Sequence, residues 1–301
     1  MKLLVLSRRG SYYSTRRLRE AGNALGHEIV VVDPLRCTLL VEKGGPRVYF
    51  GARDLGDADV VIPRVGTYGA DYSIAVVRQF ELMGKPVLNS AESISLTKDK
   101  LKCLQMLVAR GFKVPPTILS RFPQNIARAI DHLGGPPVIL KLLRGSQGTG
   151  VILGESPHAV EAVLDTMWNL GQDIMLQQFV AEAEGSDFRI LVLDGRILAA
   201  MRRSAKKGDF RSNIHCGGTG VKATLSREAK SIALRAAAAT GLDFAGVDLL
   251  ESSKGLLALE VNSSPGFQGM EDATGLDIAS KLIRYAVAMA GPNRRAARSG
   301  A

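Results

Sequence analysis

Between Lys2 and Leu82 the chain switches repeatedly between runs that suit a buried strand and runs that suit an amphipathic helix. Lys2 to Ser7, His27 to Asp33, Asp59 to Pro63 and Pro86 to Asn89 are short, mostly rich in Val, Leu and Ile, and bounded by Gly, Pro or Asp. Ser14 to Leu25 and Tyr72 to Leu82 lie between them with helical periodicity. Strands joined through helices pair in parallel, because the helix carries the chain back to the edge it left. The pattern predicts an α/β unit with a mainly parallel sheet over residues 1–94.

Beyond that point the order changes. A helix is expected over Ser95 to Arg110, then the strand Val138 to Leu142, a glycine-rich loop, the strand Val151 to Leu153 and a helix from Pro157 to about Leu170. Strands Asp173 to Val180, Asp187 to Leu193 and Arg196 to Arg203 follow, then a helix over Ser226 to Thr240, a hairpin, and a last helix near Asp277 to Met289. These suggest two α+β subdomains, 95–174 and 175–290, with a basic tail over 291–301. A chain of 301 residues has room for such an arrangement.

Composition excludes several classes. With 46% hydrophobic and 23% charged residues the chain is neither disordered nor fibrous. No run approaches the roughly 18 apolar residues of a membrane span, and Leu3 to Leu6 is too short for a signal peptide, so no membrane partner is expected. The three cysteines, Cys37, Cys103 and Cys216, form neither a disulfide framework nor a metal cluster, which places the chain by default in the reducing cytoplasm. A net charge of +10 implies attraction to anions. Only 5% of residues are aromatic and none interleaves the basic runs, so direct sequence-specific nucleic-acid binding is not expected.

The chemistry concentrates near the C-terminal end. Gly246 to Glu251 and Leu256 to Val261 flank the turn-like Ser252 to Gly255 and should form a hairpin. A register centred near Lys254 sets Asp248 opposite Glu260, and the two-residue period of a strand puts Glu260 and Asn262 on one face. Three oxygen donors then converge in a way that suits Mg²⁺, a hard cation that shares its shell with water and phosphate. A solvated face with two acids is the plain alternative. Replacing either acid by its amide is expected to stop turnover and spare the fold.

Other stretches are individually weaker. Lys141 ends a buried-type strand and precedes Gly145, Ser146, Gln147, Gly148, Thr149 and Gly150, a loop whose backbone amides could approach phosphate; an ordinary hairpin turn reads equally well. Gln178 and Phe179 end a strand and could face an adenine, with Asp187 near a ribose; each also suits a core strand. Arg211, Ser212 and Asn213 could fork onto phosphate or carboxylate, or belong to a basic loop. Arg202, Arg203, Lys206, Lys207 and Arg211 could together receive an acidic peptide tail.

Taken in order, Leu4 to Arg8, Arg17 to Ala21, Asp33 to Leu35, Val61 to Val65, Asp99 to Leu101, Gly208 to Asn213 and Glu260 to Gly266 resemble the ATP-grasp superfamily, and within it the RimK group of glutamate ligases that modify ribosomal proteins. The resemblance runs over nearly the whole chain. It implies an α/β plus α+β ATP-grasp fold: a Rossmann-like N-terminal domain, then two subdomains that clamp ATP. Lys100 and Lys141 would hold phosphates under a lid containing Ser146, Gln147 and Gly148. Gln178 and Phe179 would take the adenine, Asp187 the ribose, Arg211, Ser212 and Asn213 the phosphate region, and Asp248, Glu260 and Asn262 two Mg²⁺ or Mn²⁺ ions. Arg203 and Arg211 would steady an acyl phosphate. The implied partners are glutamate and the C-terminal tail of a small-subunit ribosomal protein, and the implied assembly is a homo-oligomer. Two positions depart from the family pattern: Gln178 stands where a glutamate is common and Cys216 where an arginine is expected. A ligase with a small-molecule or carrier-protein acceptor is the alternative; a non-catalytic ribosome or RNA binder would not need the acids and Lys141.

Overall fold

The computed structural model describes residues 1–121, 126–143 and 150–291. Its first unit is the parallel sheet expected: β1 (Lys2–Leu6), α1 (Tyr13–Ala24), β2 (Glu28–Val32), then, after an antiparallel meander of β3 (Cys37–Leu40), β4 (Arg47–Phe50) and β5 (Arg53–Asp54), β6 (Val60–Pro63) and α2 (Ala70–Leu82). The order is β2-β1-β6, all parallel. The meander was not anticipated, because its polar turn residues hide the alternation. Pro86 to Asn89 contributes only one bridge, Val61 to Val87, and is not a strand. Proline has no amide hydrogen to extend the ladder, and Ser90 already caps the next helix by accepting from Ser93 N.

The single helix expected over Ser95 to Arg110 is two, α3 (Ala91–Lys98) and α4 (Lys100–Ala109). Asp99 stands between them with extended backbone, φ −96° and ψ 107°, and its carboxylate caps α4 by accepting from Lys102 N at 3.0 Å. A short acidic residue prefers that role to a helix interior. β7 (Thr117–Leu119), α5 (Ile126–His132), β8 (Val138–Leu142), β9 (Val151–Gly154), α6 (Pro157–Asn169) and β10 (Ile174–Gln178) follow; their strands form an antiparallel sheet β7-β10-β8-β9 whose core lies under α5 and α6.

The last sheet comprises β11 (Ser186–Leu193), β12 (Arg196–Ser204), β13 (Thr219–Lys222), β14 (Phe244–Ser252) and β15 (Gly255–Asn262), in the antiparallel order β13-β12-β11-β14-β15. One face buries Ile190, Val192, Val247, Leu249 and Val261 in a core shared with α7 (Arg227–Ala239). The small Ala229, Ala233 and Ala236 of α7 allow close packing on that core. The opposite face is divided along its length. Leu191 and Leu193 pack with Leu3, Val5 and Ile62 of the parallel sheet and with Ile278, Leu282 and Ile283 of α9 (Ile278–Met289), which follows α8 (Gln268–Thr274). Asp187 and Arg189, on the same face of β11, instead line a cleft. Asn89 ties the first unit to this sheet, donating to Phe244 O (2.8 Å) and Ser263 O (3.0 Å) and accepting from Phe244 N (2.8 Å). The expected basic tail, beyond Gly291, lies outside the described residues.

Candidate active site

The hairpin pairs Asp248 with Glu260 and Gly246 with Asn262, so all three oxygen-bearing side chains share one face. The turn is centred half a residue earlier than expected, between Ser253 and Lys254, since Ser252 faces Gly255. A bulge restores the register: Leu249 faces Ala258 but Asp248 faces Glu260, leaving Leu259 unpaired. Without that extra residue Asp248 would face Leu259, with Glu260 on the other side of the sheet. At Gly246 an added Cβ would lie 2.7 Å from Pro265 Cβ, so the loop after β15 closes against the sheet only over glycine.

Asp248 is not open to the cleft in the manner expected. It is 2% exposed and accepts from Arg189 Nε (2.7 Å), Arg189 Nη2 (2.5 Å) and Arg203 Nη2 (2.8 Å). Arg203 is itself buried and also donates to both oxygens of Asp187, through Nε (2.7 Å) and Nη2. Two arginines and two aspartates thus form a closed network across β12, β11 and β14. Burial alone would raise the Asp248 carboxyl, but Arg189 and Arg203 outweigh it and hold it below its usual value. Burial pushes Asp187 upward against the pull of Arg203. Asp248→Asn should therefore strain the fold as well as the site, because the amide would leave the buried Arg203 and the part-buried Arg189 with a single carboxylate between them. Arg189 was not singled out from sequence, because a lone arginine in a β-run carries no local signal.

Glu260 faces the opposite charge. Lys98 and Lys100, thrown to either side of the Asp99 break, and Lys141 of β8 all feel its carboxylate. Lys141 Nζ is fixed by donation to Gln177 Oε1 (2.6 Å), and Gln177 Nε2 donates to Thr117 Oγ1 (2.8 Å). Burial lowers Lys98 to about 8, with Arg64 adding to the effect and Glu260 opposing it. Burial likewise lowers Lys141 to about 8, partly offset by Glu260. Three lysines share Glu260, and Asp187 and Asp248, which Lys141 also feels, are already neutralised by Arg189 and Arg203, so the hollow suits an anion carrying several charges. Lys98 and Arg64 were missed as site residues, although Arg64 lies in the family-like segment Val61 to Val65 and Lys98 just before Asp99 to Leu101; only the helix break and the loop after β6 bring them in.

These groups line one cleft of about 870 Å³ between the three sheets. Lys100, Lys141, Gln178, Phe179, Asp187, Arg203, Arg211, Ser212, Asn213, Asp248, Glu260 and Asn262 all border it, and Ser146, Gln147 and Gly148 lie outside the described residues. At one end Phe179 packs edge-on to Phe210 with centroids 6.5 Å apart, making an apolar wall at the tip of β10. Arg211 forks onto the neighbouring Asp209, whose carboxyl it holds down at about 2. Gly218 lets this loop close, since a Cβ there would meet Ser212 O at 2.5 Å. Arg202 faces the other side of the sheet, bound to Glu251 at 3.0 Å, and Lys206 and Lys207 are exposed beyond the cleft wall, so the basic run does not act as one patch.

The donor set suits a divalent cation. Among the described residues the Glu260 carboxylate accepts no hydrogen bond, and the Asn262 amide ends in a buried Nδ2 with no partner, so its terminus is uncommitted beside Glu260. Asp248 has one lone-pair direction left, on Oδ1, because Oδ2 already accepts two bonds. Among the described residues no three His, Cys, Asp or Glu side chains form a metal cluster, so a cation here needs the amide and outside ligands.

Comparison with known proteins bears on the family and the fold. Residues 1–94 match the RimK PreATP-grasp domain and residues 97–286 the RimK-like ATP-grasp domain. A probable alpha-L-glutamate ligase of Serratia proteamaculans is 44% identical over 285 residues, covering 95% of both chains. One of Alkalilimnicola ehrlichii is 45% identical over 95% of both. Among solved structures, the ATP-grasp ligase PsnB with its minimal precursor superposes at TM-score 0.75 and 23% identity over 95% of this chain and 98% of that one. The macrocyclase MdnC of Microcystis aeruginosa, bound to precursor peptide MdnA, does so at TM-score 0.74 and 14% identity, over 96% and 100%. The chain belongs to the RimK-like ATP-grasp family and is an ADP-forming ligase.

Proposed function

We propose that the protein uses ATP to join glutamate through an amide bond to the C-terminal carboxylate of a protein tail, with a small-subunit ribosomal protein as acceptor. The observation that carries the nucleotide part is the hollow in which Lys98, Lys100 and Lys141 share Glu260, on the same cleft as the apolar wall of Phe179 and Phe210. Relatives named glutamate ligases support the donor. Fold neighbours holding precursor peptides, and a surplus of ten positive charges, support a peptide acceptor.

In this reading residues 95–174 and 175–290 are the two halves of the clamp behind 1–94. Phe179 and the backbone near Gln178 take the adenine, Asp187 the ribose, and Lys100 and Lys141 the phosphates, with Ser146, Gln147 and Gly148 closing above. Arg211, Ser212 and Asn213 flank the transferred phosphoryl group. Glu260 and Asn262, with Asp248, would hold one or two Mg²⁺ ions, which neutralise charge on the phosphoryl oxygens. The acceptor carboxylate oxygen attacks the γ-phosphorus and ADP leaves; the glutamate amine attacks the acyl carbon, phosphate leaves, and the amine gives up a proton. No protein nucleophile takes part, so the side chains contribute position and field. Arg211 steadies the acyl phosphate directly. Arg203, neutralised by Asp187 and Asp248, positions the face on which those oxygens are held.

Among the described residues no helix is long and apolar enough to cross a membrane; we place the protein in the cytoplasm as a homo-oligomer, to be checked by light scattering. The decisive experiment incubates it with ATP, Mg²⁺ and glutamate, with and without ribosomal proteins, and identifies products by mass spectrometry. Glutamate added to a small-subunit protein, with ADP released, supports the proposal. Addition only to a small molecule would refute the protein acceptor.

A further inference from the structure

Gln177 is a polar side chain only 2% exposed in the middle of an antiparallel sheet, so its amide must find its partners inside the protein. β10 runs between β7 and β8, with Gln177 directly opposite Thr117 on one side and Ile139 on the other. Lys141 lies two residues beyond Ile139, so Thr117, Gln177 and Lys141 share one face across three strands. The opposite face, with Val138, Leu140, Ile174 and Leu176, packs under α5 and α6. Lys141 is part-buried, and both it and Gln177 border the cleft. None of the family-like segments contains Gln177.

Three hydrogen bonds run through these groups in one direction. Thr117 Oγ1 donates to Pro115 O (2.8 Å), Gln177 Nε2 donates to Thr117 Oγ1 (2.8 Å), and Lys141 Nζ donates to Gln177 Oε1 (2.6 Å). The direction is set at the far end. A backbone carbonyl can only accept, so Pro115 takes the one hydroxyl proton of Thr117 and leaves that oxygen's lone pairs for Gln177. Gln177 must then turn its NH₂ to Thr117, which leaves its carbonyl oxygen for the ammonium. A flipped amide would set donor against donor at Lys141. The neutral amide also orients the ammonium without cancelling its charge. Among the described residues this is the one hydrogen bond that Lys141 Nζ donates, so two of its three N–H groups are left for a ligand in the cleft.

We propose that Gln177 is a positioning residue of the phosphate site: held in one orientation by Thr117, it aims the Lys141 ammonium at the nucleotide and leaves its charge free to meet phosphate. This rests on the reading above that Lys141 holds phosphate, and it names the group that aims it. Position 177 accordingly needs a neutral acceptor of glutamine's length. Methionine fills the same space and offers no comparable acceptor. Glutamate reaches as far and accepts, but it pairs the ammonium and sets a negative charge beside the phosphates.

The test is a double-mutant cycle on the equilibrium binding of AMPPNP with Mg²⁺, and of adenosine, measured by calorimetry. Lys141→Ala should weaken AMPPNP by about tenfold or more and Gln177→Met by about fivefold or more, with adenosine within about twofold of wild type in both. In the Lys141→Ala background Gln177→Met should weaken AMPPNP by less than about twofold further, because a residue that acts through the ammonium then has nothing to aim. A merely structural role would weaken both ligands together and would persist without Lys141. Gln177→Glu should weaken AMPPNP more than Gln177→Met does. Thr117→Val, which keeps the shape and drops the hydroxyl, should show a smaller loss that also vanishes without Lys141, and it serves if Gln177→Met folds poorly. Additive losses in the cycle would overturn the proposal. So would unchanged AMPPNP binding in both Gln177→Met and Thr117→Val, or Gln177→Glu binding AMPPNP as tightly as wild type. If Lys141→Ala itself leaves AMPPNP binding unchanged, the phosphate reading of Lys141 falls and the proposal with it.

Discussion

Asp248 and Glu260 face one another across two strands, yet the structure gives them different work, and paired substitutions separate the two roles. Asp248→Asn removes the charge that three guanidinium N–H groups address at 2.5–2.8 Å, in a residue 2% exposed. Arg203 keeps Asp187, but the amide offers one acceptor oxygen to the three guanidinium N–H groups that now share two, so at least one of them faces an NH₂. Breaking one partner of a buried ion pair costs about 3–5 kcal/mol. That is a large share of the roughly 5–15 kcal/mol that holds a typical domain together. Glu260→Gln breaks no hydrogen bond among the described residues and removes only attraction to half-buried lysines, so about 1 kcal/mol or less is expected. Urea unfolding followed by circular dichroism, with m unchanged, measures both. Both variants should lose ADP release, but only Asp248→Asn should shift the midpoint strongly. Equal shifts, or a loss under about 1 kcal/mol for Asp248→Asn, would refute the assignment of Asp248 to a structural network and return it to the role of a simple metal ligand.

Lys141→Ala should weaken ATP by about tenfold or more, the loss for one charge-assisted hydrogen bond, and leave adenosine binding nearly unchanged; equal losses in a calorimetric titration would assign Lys141 to the fold. Lys98 and Lys141 sit at about 8 in the fold against 10.5 when unperturbed, so the folded chain holds fewer protons than the unfolded one between those values. Stability of the nucleotide-free protein should therefore rise as pH climbs from about 8 to about 10.5, the burial penalty being present in full below pH 8. Phosphate favours the charged lysines, so nucleotide binding near pH 8–9 should take up protons; equal heats in buffers of different ionisation enthalpy would contradict this. Arg202→Ser, on the face away from the cleft, should leave the KM for a protein acceptor unchanged, while modification of that acceptor should still fade with salt as the Debye length falls from about 10 Å at 0.1 M to about 3 Å at 1 M. A raised acceptor KM in Arg202→Ser would show that the tail runs over the outer face.

Local pattern was enough for the parallel sheet of the first unit, for the helix α7, and for Glu260 and Asn262 sharing one face. Those follow from periods of 2 and 3.6 residues, which act over a few positions. The family-like segments likewise contain Lys100 and Asn213, and Lys141 stands out as the end of the strand before the glycine-rich loop. Other features depend on contacts between distant parts of the chain. The bulge at Leu259, which makes the hairpin register come out as expected from a differently centred turn, answers to packing across the sheet. Arg189 and Arg203 became partners of Asp248 only when β11, β12 and β14 were laid side by side, 45 and 59 residues apart in sequence. Arg64 meets the loop after β15 across 201 residues. Sequence determined which side chains could carry charge to a cleft. Tertiary structure decided which of those charges cancel one another in the core of the sheet, as Asp248 and Arg203 do, and which, as Arg64 does, meet no opposing charge among the described residues.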